Sequence, residues 1–121
     1  MGLGHSPRIV TDGLVLCLDA ANARSYPKSG TTWSDLVGGN DGAMQNMDAA
    51  NFSTANGGSL SFDGTNEKIN CGYFLSDSQS AISICVWFKP SYVPSGSQKA
   101  FRLVSRFTGT GSTAGKVILD T

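Results

Sequence analysis

At 121 residues, with nine acidic side chains balanced by nine basic ones, the chain is long enough for one domain with a modest core and has no net charge to draw it to an electrostatic partner. The Lys and Arg residues are scattered from Arg8 to Lys116 without forming a basic patch, which argues against nucleic acid as a partner. Fifteen glycines fall between apolar runs with no period of three, the composition of short strands joined by tight turns and not of collagen or a flexible tail.

Residues 1–8 read as a flexible lead, and a single sandwich domain is expected over 9–121. The lead lacks the basic region and apolar run of a secretory signal, and no apolar stretch approaches the roughly twenty residues of a membrane span, so no membrane partner is expected. Gly2 and Ser6 match the N-myristoylation pattern, a short match that a glycine-rich chain produces without modification.

The first strand is expected within Arg8 to Ala20. Thr11-Asp12-Gly13 makes a turn, after which Leu14, Leu16 and Leu18 form one row and Val15 and Cys17 the other. Both rows are apolar, as in a central strand covered on its second side by a loop or a neighbouring subunit. Asp19 to Arg24 has room for no more than a turn. Ser25 to Gly42 is mostly loop, with Trp33 at the centre of Thr32–Leu36. Trp33 reads as a plug closing the open end of a sandwich in preference to a sugar-stacking platform. The turn formers of Val37–Gly42 lead into a short strand through Ala43 and Met44. Asn51-Phe52-Ser53 satisfies the N-glycosylation pattern, but with no secretory signal it is expected to stay unmodified.

Gly58 to Gly72, GSLSFDGTNEKINCG, is the clearest hairpin. Leu60 and Phe62 share one face, Asp63-Gly64-Thr65-Asn66 supply the turn, and Ile69 and Cys71 share a face of the returning arm. Ser80 to Lys89 is the clearest single strand: Ile82, Ile84, Val86 and Phe88 form an inward row, Ser83, Cys85 and Trp87 face the other way, and Pro90 stops the pairing. An exposed loop follows through Tyr92 to Gln98, alternation returns over Phe101 to Phe107, and Thr108 to Gly115 is a connection. Lys116 to Asp120 begins another strand. Val117, Ile118 and Leu119 are expected to form an open apolar edge, covered either by residues of a longer precursor or by a neighbouring chain.

The chemistry available is limited. Glu67 is the only glutamate, and a serine hydrolase is improbable, since His5 is the only possible base and there is no nucleophile elbow. The reading is therefore not an enzyme. Cys17, Cys71 and Cys85 lie in apolar runs and read as three reduced thiols; one disulfide with a thiol left over is the alternative. A zinc site would require His5, the sole histidine, to travel from the lead to the cysteines.

Taken in order, Gly13–Ala20 (GLVLCLDA), Trp33-Ser34-Asp35-Leu36, Asn40-Asp41-Gly42, the stretch ending in Phe62-Asp63-Gly64-Thr65-Asn66, and Ile82–Pro90 resemble the N-terminal half of the laminin-G-like or concanavalin-A-like jelly-roll domain. The copies they resemble most are those in structural proteins of tailed, cyanophage-like bacteriophages. The resemblance implies an all-β, antiparallel two-sheet sandwich, here incomplete at its C-terminus, since the full domain is usually longer. It also implies glycan or protein binding or virion decoration, and in some members calcium at the sandwich rim. Asp63, Asn66 and Glu67 are the candidate calcium ligands, with Asp35 and Asp41 as distant contributors; Asx turns account for Asp63 and Asn66 without a metal. No other cofactor is expected. The function expected is that of a virion structural protein, on the capsid or tail, packing against other virion proteins or copies of itself. The alternative is a carbohydrate-binding module for a host surface glycan, with Trp33, Tyr26, Tyr92 and Trp87 as stacking candidates.

Overall fold

The computed structural model describes residues 9–75, 80–90, 103–107 and 116–120. The expected lead, the loop bearing Tyr92, the start of the Phe101 strand and the 108–115 connection lie outside the described residues.

The chain is all-β and antiparallel. One sheet has the order β1-β2-β5-β7-β6, built from β1 (Thr32–Trp33), β2 (Gly42–Gln45), β5 (Lys68–Tyr73), β6 (Ser105–Phe107) and β7 (Lys116–Asp120). A second, two-stranded sheet joins β3 (Phe52–Ser53) to β4 (Ser59–Leu60). The helical pieces among the described residues are two single 3₁₀ turns, Ala49–Asn51 and Ala55–Gly57.

Strand β5 is the spine of the larger sheet. Its alternation works as a period of two demands: Ile69 and Cys71 are buried, and Lys68 and Asn70 are partly exposed. Ile69 is opposite Met44 on one side and Leu119 on the other. Around it Tyr26, Met44, Met47 and Cys71 form the buried cluster, and Leu16, Leu18, Trp33, Phe52 and Leu60 are among the side chains that pack on it. Full burial of Ile69 contributes about 2 to 3 kcal/mol. Gly42 admits this packing, because a Cβ there would lie 2.5 Å from Ile69 Cγ2. Gly58 is also held closely: its φ is +148° and a Cβ there would lie 2.6 Å from the Ala20 carbonyl oxygen.

Four expectations are corrected. The arms of the Gly58–Gly72 hairpin do not pair with each other: Leu60 pairs with Phe52 in the small sheet, whereas Ile69 pairs with Met44 and Leu119 in the large one. The turn chemistry is present, with Thr65 N–H donating to Asp63 Oδ1 at 2.8 Å. However, Ser61 N–H and its hydroxyl both donate to the Asn51 carbonyl, at 2.9 and 3.0 Å, which gives the first arm to the Asn51–Ser53 segment.

Leu14–Leu18 belongs to no strand ladder among the described residues. Ser80–Lys89, the strongest strand pattern, also has no ladder partner among the described residues and is exposed throughout. Val117–Leu119 is not an open edge. Strand β7 pairs with β5 on one side and, through Lys116, Val117 and Ile118, with β6 on the other, so it lies inside the sheet, whose outer strands are β1 and β6.

Candidate functional site

The loop that joins β1 to β2 is built around Asp35. Its Oδ1 accepts from the Cys17 and Val37 N–H groups at 2.9 and 3.0 Å, and its Oδ2 accepts from Gly38 and Asn40 at 3.3 Å each. Partial burial pushes the Asp35 pKa up, but these four backbone donors outweigh it and hold the carboxyl below its ordinary value. The Asp35 N–H in turn donates to Asp41 Oδ1 at 2.8 Å, and Asn40 Nδ2 donates to the Val15 carbonyl at 3.0 Å. Asp35 and Asp41 are therefore loop staples, and their first task is to fix Asn40 and Asp41 beside β5.

On β5, a bulge changes which way the chain faces. Asn70 is opposite Ile118 and Tyr73 opposite Lys116, so three steps on β5 match two on β7. Gly72 takes up the extra residue at φ +70°, and its N–H donates to Asn70 Oδ1 at 3.0 Å. In strict alternation Tyr73 would follow Ile69 and Cys71 into the core. The bulge turns it outward instead, and it is 57% exposed. Tyr73, Asn70 and Gly72 then line a shallow open depression of about 490 Å³ together with Asn40, Asp41 and Gly39. That volume lies within the range of small-molecule sites, roughly 300 to 1,000 Å³. From the sequence Tyr73 is expected to cap the core with Phe74 and Leu75; Leu75 is buried but Tyr73 is not, because a bulge at a lone glycine has only a weak sequence signal.

Among the described stacking candidates, Tyr26, Trp33 and Trp87, the surroundings differ. Tyr26 is fully buried, its ring 5.6 Å from that of Phe52 and its hydroxyl donating to the Gly30 carbonyl at 3.0 Å, so it is a core residue and not a sugar platform. Burial first, and the charge of Asp48 second, push its phenol pKa up. Trp33 is half-buried against the core, as a plug would be, with its indole Nε1 enclosed and without a hydrogen-bond partner. Trp87 is 94% exposed. Tyr92 lies outside the described residues.

The expected calcium residues Asp63, Asn66 and Glu67 sit in one turn, where their oxygens enter internal hydrogen bonds. Glu67 is buried, with Oε2 accepting from the Asp63 N–H at 2.6 Å and Oε1 from Asn51 Nδ2 at 2.8 Å. Asp63 Oδ1 serves the Thr65 N–H, and the Asn66 carbonyl accepts from Asn46 Nδ2 at 2.9 Å. Among the described residues, no three His, Cys, Asp or Glu side chains gather where they could hold a metal ion. The Asn51 amide nitrogen, the atom the glycosylation pattern would modify, also donates to the Ser61 carbonyl at 3.0 Å.

Cys17, Cys71 and Cys85 are free thiols. Burial, with a smaller contribution from Asp35, pushes Cys71 up to about 11; burial followed by Asp19 and Asp35 raises Cys17. Among the described residues, no helix is long and apolar enough to cross a membrane. No family model, curated protein or solved structure matches the chain, so its fold and its exposed surfaces carry the functional reading.

Proposed function

We infer that this chain is an assembly module: a jelly-roll sandwich that works by packing against other proteins of a larger particle. The observation that carries this reading is the segment 80–90. Among the described residues it has no ladder partner, and it presents Ile82, Ile84 and Phe88 each more than half exposed, with Trp87 on its opposite row. A contiguous apolar, β-prone run on the surface, with no ladder partner among the described residues, suits an interface, since it offers apolar area and backbone hydrogen-bonding groups to an incoming strand or face. The resemblance to tailed-phage structural proteins supports a virion as the particle, on the capsid or tail. The role is non-enzymatic, in keeping with a single glutamate whose two oxygens are both used internally.

Sedimentation of the full chain at micromolar concentration tests this. The wild type is expected to associate, and an Ile84→Lys, Phe88→Lys double variant to sediment as a monomer with an unchanged circular dichroism spectrum. A wild type that remains a stable monomer would overturn the reading.

A further inference from the structure

We propose that Asn56-Gly57 is a self-modification site: in the folded chain the Gly57 backbone nitrogen attacks the Asn56 side-chain amide, and the resulting succinimide opens to aspartate and isoaspartate in the connection between β3 and β4. The site lies outside the 80–90 segment and goes beyond the assembly reading.

Water is the only co-reactant. The Gly57 N–H gives its proton to hydroxide, its nitrogen bonds to Asn56 Cγ, and the side-chain nitrogen leaves as ammonia after taking a proton from water, which restores the hydroxide. Water then opens the ring at one of its two carbonyls. Opening at Cγ gives aspartate in an ordinary backbone. Opening at the main-chain carbonyl leaves the chain running through Cγ as isoaspartate, with one more backbone atom.

Three observations converge on this site. First, Asn56 is the only asparagine followed by glycine, whose missing Cβ leaves its nitrogen unshielded. The side chains of Asn22, Asn40, Asn46, Asn51 and Asn70 are each tied by a hydrogen bond, and Asn66 precedes the bulky Glu67. The Asp-Gly pairs at Asp12, Asp41 and Asp63 present a carboxyl group, a poorer acyl donor than an amide.

Second, the turn leaves Asn56 free to react. Asn56 and Gly57 are both exposed, and among the described residues the Asn56 side chain has no hydrogen-bond partner. Asn56 is in the left-handed region at φ 56° and ψ 29°, which L-residues leave readily, and Gly57 follows at φ +89°. The Gly58 N–H closes the turn on the Ala55 carbonyl at 3.2 Å, a single long bond whose local opening lets Asn56 rotate onto the Gly57 nitrogen.

Third, the product has a structural consequence. Thr54–Gly58 joins two short strands whose register sets Phe52 opposite Leu60 and Ser53 opposite Ser59. Gly58 cannot absorb an extra backbone atom, because it already lies so close to Ala20 and Ala21 that even a Cβ would clash. The strain of isoaspartate therefore falls on the Phe52–Leu60 pairing, and both of those side chains pack on the core.

The test is incubation of the full chain at physiological temperature in neutral and mildly alkaline buffer, followed by peptide mass spectrometry that separates aspartate from isoaspartate. Asn56 is expected to convert first among the asparagines, to both isomers, faster at the higher pH, and within about tenfold of its rate in the urea-unfolded chain. Asn56→Gln, which would need a larger ring, is expected to stay amidated. In hydrogen exchange of the 52–60 peptide, the isoaspartate form is expected to exchange faster than wild type. The Asn56→Asp variant, with the same charge and no extra atom, is expected to match wild type. Conversion of another asparagine first, or a folded-chain rate more than about tenfold below the unfolded one, would overturn the proposal. Exchange in the isoaspartate form equal to that of Asn56→Asp would overturn its structural consequence.

Discussion

Leu14–Leu18 and Ile82–Phe88 are both strongly apolar runs with strand composition, and neither belongs to a ladder, yet they sit in opposite surroundings. The first is tied down by polar groups arriving from elsewhere. Cys17 N–H donates to Asp35, the Cys17 carbonyl accepts from Leu36 N–H at 2.9 Å, the Val15 carbonyl accepts from Asn40, and the Asp19 N–H donates to Ser25 Oγ at 3.1 Å. With its backbone satisfied this way, Leu16 and Leu18 can pack on the core. The second run has better alternation, no such attachment among the described residues, and lies exposed. The difference teaches that an apolar pattern identifies what can be buried, whereas satisfaction of backbone N–H and C=O groups decides what is.

The largest way to break this contrast is Asp35→Ala. It leaves four backbone donors without their acceptor and is expected to cost about 3 kcal/mol in urea unfolding. The same carboxylate carries a pH dependence. Its pKa is lower in the folded chain than in the unfolded one, so the unfolded chain binds more protons in acid. The stabilisation is complete above the ordinary aspartate pKa of about 3.9 and is lost as the pH falls through the lower folded value. Asp35→Asn should flatten that acid limb when stability is followed by fluorescence between neutral pH and strong acid.

Gly58→Ala comes next. It forces a Cβ within 2.7 Å of Ala21 Cα, backbone against backbone, at a positive φ, and is expected to cost about 2 kcal/mol in thermal or urea melts. A near-zero effect would mean that the Ala20–Ala21 turn is not anchored as tightly as the contrast requires.

Ile84→Lys should change stability by less than about 0.5 kcal/mol, because an exposed side chain loses little on becoming polar, while it reduces association. A loss of several kcal/mol would show instead that the segment is buried in solution and would remove the contrast. The smallest effect is one of rate alone. In alkylation by a maleimide, followed by peptide mass spectrometry, exposed Cys85 should react first, half-buried Cys17 more slowly, and Cys71 only on unfolding, its thiol being both buried and pushed up to about 11.

The calcium and stacking candidates show where sequence reading reaches and where it stops. The Asx turn at Asp63 is local, between residues two apart, and is visible in the order Asp-Gly-Thr. The use of Glu67 by Asn51, and of Asp35 by Cys17, spans 16 and 18 residues, and no local pattern announces such partners. Tyr26 carries an aromatic ring and a hydroxyl whether it serves a sugar or the core; only the position of Phe52 and Gly30 around it settles that it is core.

By itself the sequence determined the β class, the places where the chain turns, and the inward row of Ile69 and Cys71, because strand period and turn chemistry act over a few neighbouring residues. The tertiary structure alone decided that the arms of Gly58–Gly72 part into different sheets, that Val117–Leu119 lies inside a ladder, and that Gly72 turns Tyr73 outward beside Asn40 and Asp41. Those outcomes depend on which distant segment supplies the partner N–H and C=O groups, a competition among long-range pairings that no stretch of residues encodes alone.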